Sequence, residues 1–339
     1  MTSKARRFLS ARRFAAMLLR LFQLAPGGEP LWSRILPGNL LQPCALALLI
    51  AGSAVQATAQ VIARVTDLAC GGSTYSYALG INNSGQVVGS CTYPDGTFAF
   101  LYSAGVRTPL GTLGGPYSFA TAINASGQVV GISQTATGTV PFLYSAGTLA
   151  PLGSLGDGVT PNAINASGQV VGQYLTPNGP FRGFLYSGGV MTDLPTVGGP
   201  SSALGINDSG QVVGSSGSGA FLYSGGDTTY LAADQAVAIN DTAQIVVIAG
   251  THSFLYSGGS MTDLGLLGGY YDGNNVHQNF ATGTALNARG QVVGYTITSG
   301  PFGANTQKHA WLYSGGIMTD LNSLLPANSG LDTIDSLRN

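Results

Sequence analysis

A nine-residue phrase, Ile-Asn-x-x-Gly-Gln-Val-Val-Gly, returns along this chain, and that recurrence restricts the available folds more than any other feature. It stands at residues 81–89, 123–131, 164–172 and 206–214, with Leu in first place at 286–294 and in degraded form at 239–247. Its asparagines are Asn82, Asn124, Asn165, Asn207, Asn240 and Asn287, spaced by 42, 41, 42, 33 and 47 residues. A second phrase, Phe-Leu-Tyr-Ser, begins at Phe100, Phe142, Phe184, Phe221 and Phe254, and Trp311 heads the sixth copy. A third, Met-Thr-Asp-Leu, is complete at 191–194, 261–264 and 318–321 and survives as Pro109-Leu110, Pro151-Leu152 and Tyr230-Leu231.

Each unit reads as four short strands: Ala-x-x-Ile, Gln-Val-Val-Gly, Phe-Leu-Tyr and x-Met-Thr-Asp-Leu. Four antiparallel strands in about 42 residues is the size of a propeller blade. Near-continuous apolar strands fit a sheet covered on both faces by its neighbours. Hairpin turns and uneven spacing argue against a parallel β-helix. The expected fold is an all-β propeller of six four-stranded blades over residues 60–321, following an N-terminal signal segment at 1–59. Residues 61–68 end in Thr66-Asp67-Leu68, a copy of the fourth strand without the first three. Two closures stay open: a six-bladed ring with a spare strand, or a seven-bladed ring whose last blade is incomplete. The tail, 322–339, carries neither Ile-Asn nor Gln-Val-Val-Gly and reads as a truncated last repeat.

The turns explain the remaining repeated residues. Asn-x-Ser-Gly places an amide side chain at the start of a turn and Gly where a left-handed conformation is required, as in a type I turn with a bulge. Tyr-Ser-Gly-Gly is expected to do the same between the third and fourth strands. Asn-x-Ser/Thr also matches a glycosylation acceptor in five of the six copies, but the turn accounts for it more simply. In copy five Ala243 replaces the turn Gly and the Leu-Gly-Gly linker is missing, so this unit is expected to be the least regular.

Charge excludes some functions. Only 8% of residues are charged, and from Gln60 onward there are 6 basic residues against 13 Asp and no Glu. No basic patch for nucleic acid is present. Seven of the 13 Lys and Arg precede residue 60; they lead into an apolar run at 44–55 and the small-x-small site Ala57-Thr58-Ala59. This is the pattern of a secretory signal, and the run is shorter than the roughly 20 residues of a membrane span. Cleavage there would leave Cys70 and Cys91, an even pair that suggests a disulfide in an exported chain, with two free thiols as the alternative.

The three linked phrases resemble the HAF-repeat family of extracellular repeat proteins, named for a His-Ala-Phe triplet before Leu-Tyr. The triplet persists as His309-Ala310-Trp311 and, more loosely, His252-Ser253-Phe254. The resemblance covers residues 61 to 327 and implies secretion and a repeat fold. It supplies no catalytic or binding residues.

Chemistry is sought where the repeat is broken, because a repeated residue is already explained by folding. The exported part has three His and no Glu, and it lacks Gly-x-Ser-x-Gly, P-loop, His-Glu-x-x-His and Cys-x-x-Cys motifs. The Asp of the third phrase (Asp67, Asp193, Asp263, Asp320) is Pro or Tyr in other copies, so it reads as a solvated or turn-capping residue. Two insertions in the sixth unit, 270–280 and 296–308, emerge on one propeller face. They gather Tyr270, Tyr271, Asp272, Asn274, His277, Lys308 and His309 into a candidate ligand-binding rim. The expectation is a secreted or surface-located monomer without metal, cofactor or catalytic site, contacting an extracellular glycan or protein. A polysaccharide hydrolase or lyase using Asp272, His277 and His309 is the alternative.

Overall fold

In the computed structural model the repeats form six four-stranded antiparallel sheets, each built from four strands consecutive in sequence. The structure describes residues 68, 70–177, 179–196, 198–267, 280–298 and 307–324, with the two-residue strands Leu46–Ala47 and Arg64–Val65. The sheets span residues 75–111, 118–151, 157–193, 201–230, 235–263 and 280–320, here blades 1 to 6. Their first strands line one central cavity, so the molecule is a six-bladed β-propeller among the described residues.

The two valines of Gln-Val-Val-Gly explain how blades stack. Successive side chains of a strand point to opposite faces, so one valine faces the preceding blade and the other faces the next. Val88 and Ala99 of blade 1 thus meet Ala120, Ile123, Val129 and Phe142 of blade 2 in one buried cluster. Val130, Val171, Val213 and Val246 do the same for the blades that follow. The leucine ending the third phrase plugs each seam: Leu110, Leu152, Leu194, Leu231 and Leu264 are all buried against the next blade.

This changes the reading of residues 61–68. Among the described residues of this stretch none adds a strand to a blade. Arg64–Val65 pairs with Leu46–Ala47 instead, and Leu68 packs against Ala78, Ile81 and Val87, taking on blade 1 the place that Leu110 takes on blade 2. The rest of the expected signal segment and residues 325–339 of the tail lie outside the described residues; Leu321–Leu324 form a 3-10 turn.

Gly of the second strand sits opposite the aromatic of the third in five blades: Gly89 with Phe100, Gly131 with Phe142, Gly172 with Phe184, Gly214 with Phe221 and Gly294 with Trp311. A Cβ at Gly131 would strike the Phe119 carbonyl oxygen and come within 2.8 Å of the Phe142 ring. Glycine therefore lets the ring lie flat on the sheet. In blade 5, Val247 replaces it, and Phe254 is the one aromatic of the set that is only half-buried.

The Ser-Gly-Gly turns depart from the expected type I turn with bulge. Ser187 pairs directly with Val190, and Gly188 and Gly189 both have positive φ, at 59° and 87°. These are two-residue hairpin loops of the primed kind, whose twist suits the strands they join.

Candidate functional site

The repeated asparagines form a belt around the propeller. In the first turn Gly85 N–H donates to the Asn82 carbonyl at 3.0 Å, and Asn82 N–H donates to the Gln86 carbonyl at 3.0 Å, as the turn reading requires. The Asn82 side chain does more: Oδ1 accepts from the Ser84 and Gln86 N–H groups, while Nδ2 donates to Gln86 Oε1 and, at 3.0 Å, to the Asn124 carbonyl of the next blade. Asn124, Asn165, Asn207 and Asn240 repeat that bridge to Asn165, Asn207, Asn240 and Asn287. Gln86, Gln128, Gln169, Gln211 and Gln291 in turn reach the serine that ends Phe-Leu-Tyr-Ser. All six asparagines are at most 5% exposed, which removes them as glycan acceptors. The face bearing these turns is thus committed to holding blades together.

The opposite face is different. It carries the connections into each first strand and between second and third strands, and the four exposed aromatics among the described residues stand there: Tyr75, Tyr117, Phe181 and Phe280, each 42–45% exposed. Of the rim predicted on this face, Tyr270, Tyr271, Asp272, Asn274 and His277 lie outside the described residues. Lys308 and His309 sit in the strand Gln307–Ser314 rather than in a loop.

His309 Nδ1 lies 3.0 Å from Asp320 Oδ2, so the third-phrase aspartate is paired within its own blade. His252 and Asp263 repeat this at 3.0 Å, and Arg182 and Asp193 do so at 2.7 Å. Where the aspartate is replaced by Pro109, Pro151 or Tyr230, the position of Arg182, His252 or His309 holds Phe98, Val140 or Gly219. In the six blades both partners are present or absent together, so pairing is added to the turn-capping role expected of these aspartates, which Asp263 and Asp320 also fill by accepting the Gly265 and Asn322 N–H groups; Asp67 lies outside the described residues. Tyr174 donates to Asp193 at 3.2 Å, and burial, with that carboxylate beside it, raises the pKa of its hydroxyl.

The central cavity, about 240 Å³, is a second place for a ligand. Every first strand carries a bulge against the second, with register shifts at Ala78/Gly80, Ala120/Ala122, Pro161/Ala163, Ala203/Gly205, Ala236/Ala238 and Gly283/Ala285. The skipped residues Leu79, Thr121, Asn162, Leu204, Val237 and Thr284 all line the cavity. They are the variable positions of Ala-x-x-Ile, so sequence comparison of the repeats treats as noise what decides the cavity wall. Thr121 and Thr284 donate to the Val130 and Val293 carbonyls, and Asn162 donates to the Ala203 carbonyl. Among the described residues the lining holds no acid, base, Ser or Cys.

Cys70 and Cys91 form a disulfide with Cα atoms 6.2 Å apart, tying the segment before blade 1 to its second strand. Among the described residues no three His, Cys, Asp or Glu gather into a metal site, and no helix is long and apolar enough to cross a membrane.

No protein-family model matches the chain, and no curated protein matches it in sequence. Solved structures resemble it distantly. The β-propeller domain of the Trilobed protease from Pyrococcus furiosus, described as having an open velcro topology, gives a TM-score of 0.49 at 8% identity over 75% of this chain and 82% of that one. A puromycin-hydrolysing peptidase of Mycobacterium tuberculosis gives 0.47 at 14% identity over 74% of this chain, which spans only 45% of the peptidase. The Aleuria aurantia lectin in complex with Fucα1-6GlcNAc gives 0.36 at 13% identity over 74% and 96%. At these values none of them transfers a ligand or an activity.

Proposed function

We propose that this chain is an exported, non-catalytic binding module of the HAF-repeat family, which presents one propeller face to an extracellular glycan or protein. One observation carries the reading. On that face Arg182, His252 and His309 are each paired with a carboxylate, Asp193, Asp263 and Asp320, at equivalent repeat positions in blades 3, 5 and 6. Recurrence at equivalent positions is how a folding element behaves, whereas a catalytic centre needs a singular arrangement. His309, the one described titrating residue of the hydrolase or lyase alternative, belongs to such a pair. Export is supported by the basic and apolar N-terminal pattern and by the Cys70–Cys91 disulfide, a bond favoured in oxidising compartments.

The test is binding to a glycan array and pull-down of extracellular proteins, with the parent chain and with a variant in which residues 270–280 are replaced by a short Gly-Ser turn. Loss of binding in the variant is expected. Unchanged binding would remove the sixth-unit rim as the contact, and turnover of a polysaccharide would remove the non-catalytic reading.

A further inference from the structure

We infer that the partner of the aromatic-bearing face is a neutral polysaccharide, held by Tyr75, Tyr117, Phe181 and Phe280 as separate stacking platforms; this rests on reading the chain as a binding module. Three features of the face point to this chemistry. The four rings are distributed over blades 1, 2, 3 and 6, at the start of a first or third strand or, for Tyr117, next to one. The exposed leucines of the same face, Leu155, Leu175 and Leu266, include one paired directly with Phe181, while Tyr75, Tyr117 and Phe280 stand on other blades; a polymer of repeated rings suits flat side chains spread in this way, where a protein partner would need one contiguous apolar core. Each of the four residues is partly covered by the protein and partly open to a ligand.

Charge gives the second argument. Arg182, His252 and His309 are matched by Asp193, Asp263 and Asp320, while Asp95 and Asp157 are exposed carboxylates on the same face. An anionic polymer would be repelled by these two exposed carboxylates. A neutral sugar polymer meets no such cost, and it pairs apolar C–H faces with aromatic rings while its hydroxyls stay in water.

The third argument is the contrast with the other face. There the asparagine and glutamine side chains that would otherwise suit a sugar are used up between and within blades. The exposed large apolar residues on that side, Val106, Val190, Met261 and Ile317, include no ring and lie just after the hairpin glycines, whereas the aromatic-bearing face carries its four rings beside Leu155, Leu175 and Leu266.

Native gel electrophoresis through gels containing soluble dextran, galactomannan, xyloglucan or, as the anionic probe, alginate tests the inference on the full exported chain. Retardation by at least one neutral polymer is expected, none by alginate, and the effect should persist at about 0.5 M salt, where exposed charge interactions are screened. The triple variant Tyr75→Ser, Tyr117→Ser, Phe181→Ser should lose retardation, with circular dichroism and melting temperature establishing that it remains folded. The control variant Val190→Ser, Ile317→Ser should keep it. No retardation by any neutral polymer, retardation by alginate alone, or retention in the folded triple variant would each overturn the inference. Capture of a protein partner that the triple variant loses, without polysaccharide binding, would overturn the glycan while leaving the binding-module reading in place.

Discussion

Val247 lies directly opposite Phe254, and it keeps that ring half out of the core in which its counterparts Phe100, Phe142, Phe184 and Phe221 are buried. The pair shows why the other blades hold glycine there: a missing Cβ is what admits the ring. Gly131→Ala, which places a methyl against the Phe119 carbonyl and the Phe142 ring, should destabilise the protein by about 1–3 kcal/mol through overpacking. Urea denaturation of parent and variant measures it. A loss of less than about 0.5 kcal/mol, the usual range of a neutral surface change, would contradict the account.

The asparagine belt separates into a turn role and a bridging role. Asn165→Asp keeps the acceptor for Gln169 N–H but removes the amide that reaches the Asn207 carbonyl at 3.1 Å and places a carboxylate at that buried contact. If bridging matters, Asn165→Asp should be as damaging as Asn165→Ala, each costing about 2–4 kcal/mol in thermal or chemical denaturation. Near-parental stability of the Asp variant would leave only the turn role.

Ala243 occupies the turn position that is glycine in the other five copies and adopts φ of 58° there. Ala243→Gly should relieve backbone strain and stabilise the protein by about 0.5–1 kcal/mol. The midpoint of urea unfolding should rise with its slope unchanged.

Arg182 and Asp193 are both part-exposed, so a double-mutant cycle with alanine should give a coupling of only about 0.2–1 kcal/mol. Beside them, the raised pKa of Tyr174 has a signed consequence. A folded pKa above the unfolded one, near 10, means that the associated stability is complete below about pH 10 and is lost as pH rises through the folded value. Parent stability relative to Tyr174→Phe should therefore fall in that alkaline window, as read by urea denaturation at neutral and alkaline pH. A difference that stays constant with pH would contradict it.

The Cys70–Cys91 disulfide closes a loop over a sequence separation of 21. Its removal in the Cys70→Ser, Cys91→Ser double variant should cost about 3 kcal/mol on the chain-entropy account. Reductant should lower the melting temperature of the parent and leave that of the variant unchanged.

The sequence by itself determined the six repeated units, the four strands of each and the positions of the turns between them, because these depend on local rules repeated six times over; it left six or seven blades open and gave the wrong turn type at Ser-Gly-Gly. Period, alternation and turn chemistry act within a few residues, so a linear reading recovers them. Its expectation that the fifth unit is the least regular is not met in strand pairing, where blades 1 and 3 carry register shifts that blade 5 lacks. Tertiary structure alone decided that Leu68 plugs a seam rather than joining a strand, that each asparagine reaches the next blade, and that His309 belongs to Asp320. It also put the variable residues Leu79, Thr121 and Asn162 on bulges along the cavity. The physical reason is distance along the chain. Contacts between residues some forty positions apart exist only once the sheets stack, and a bulge becomes visible only against the partner strand whose register it shifts.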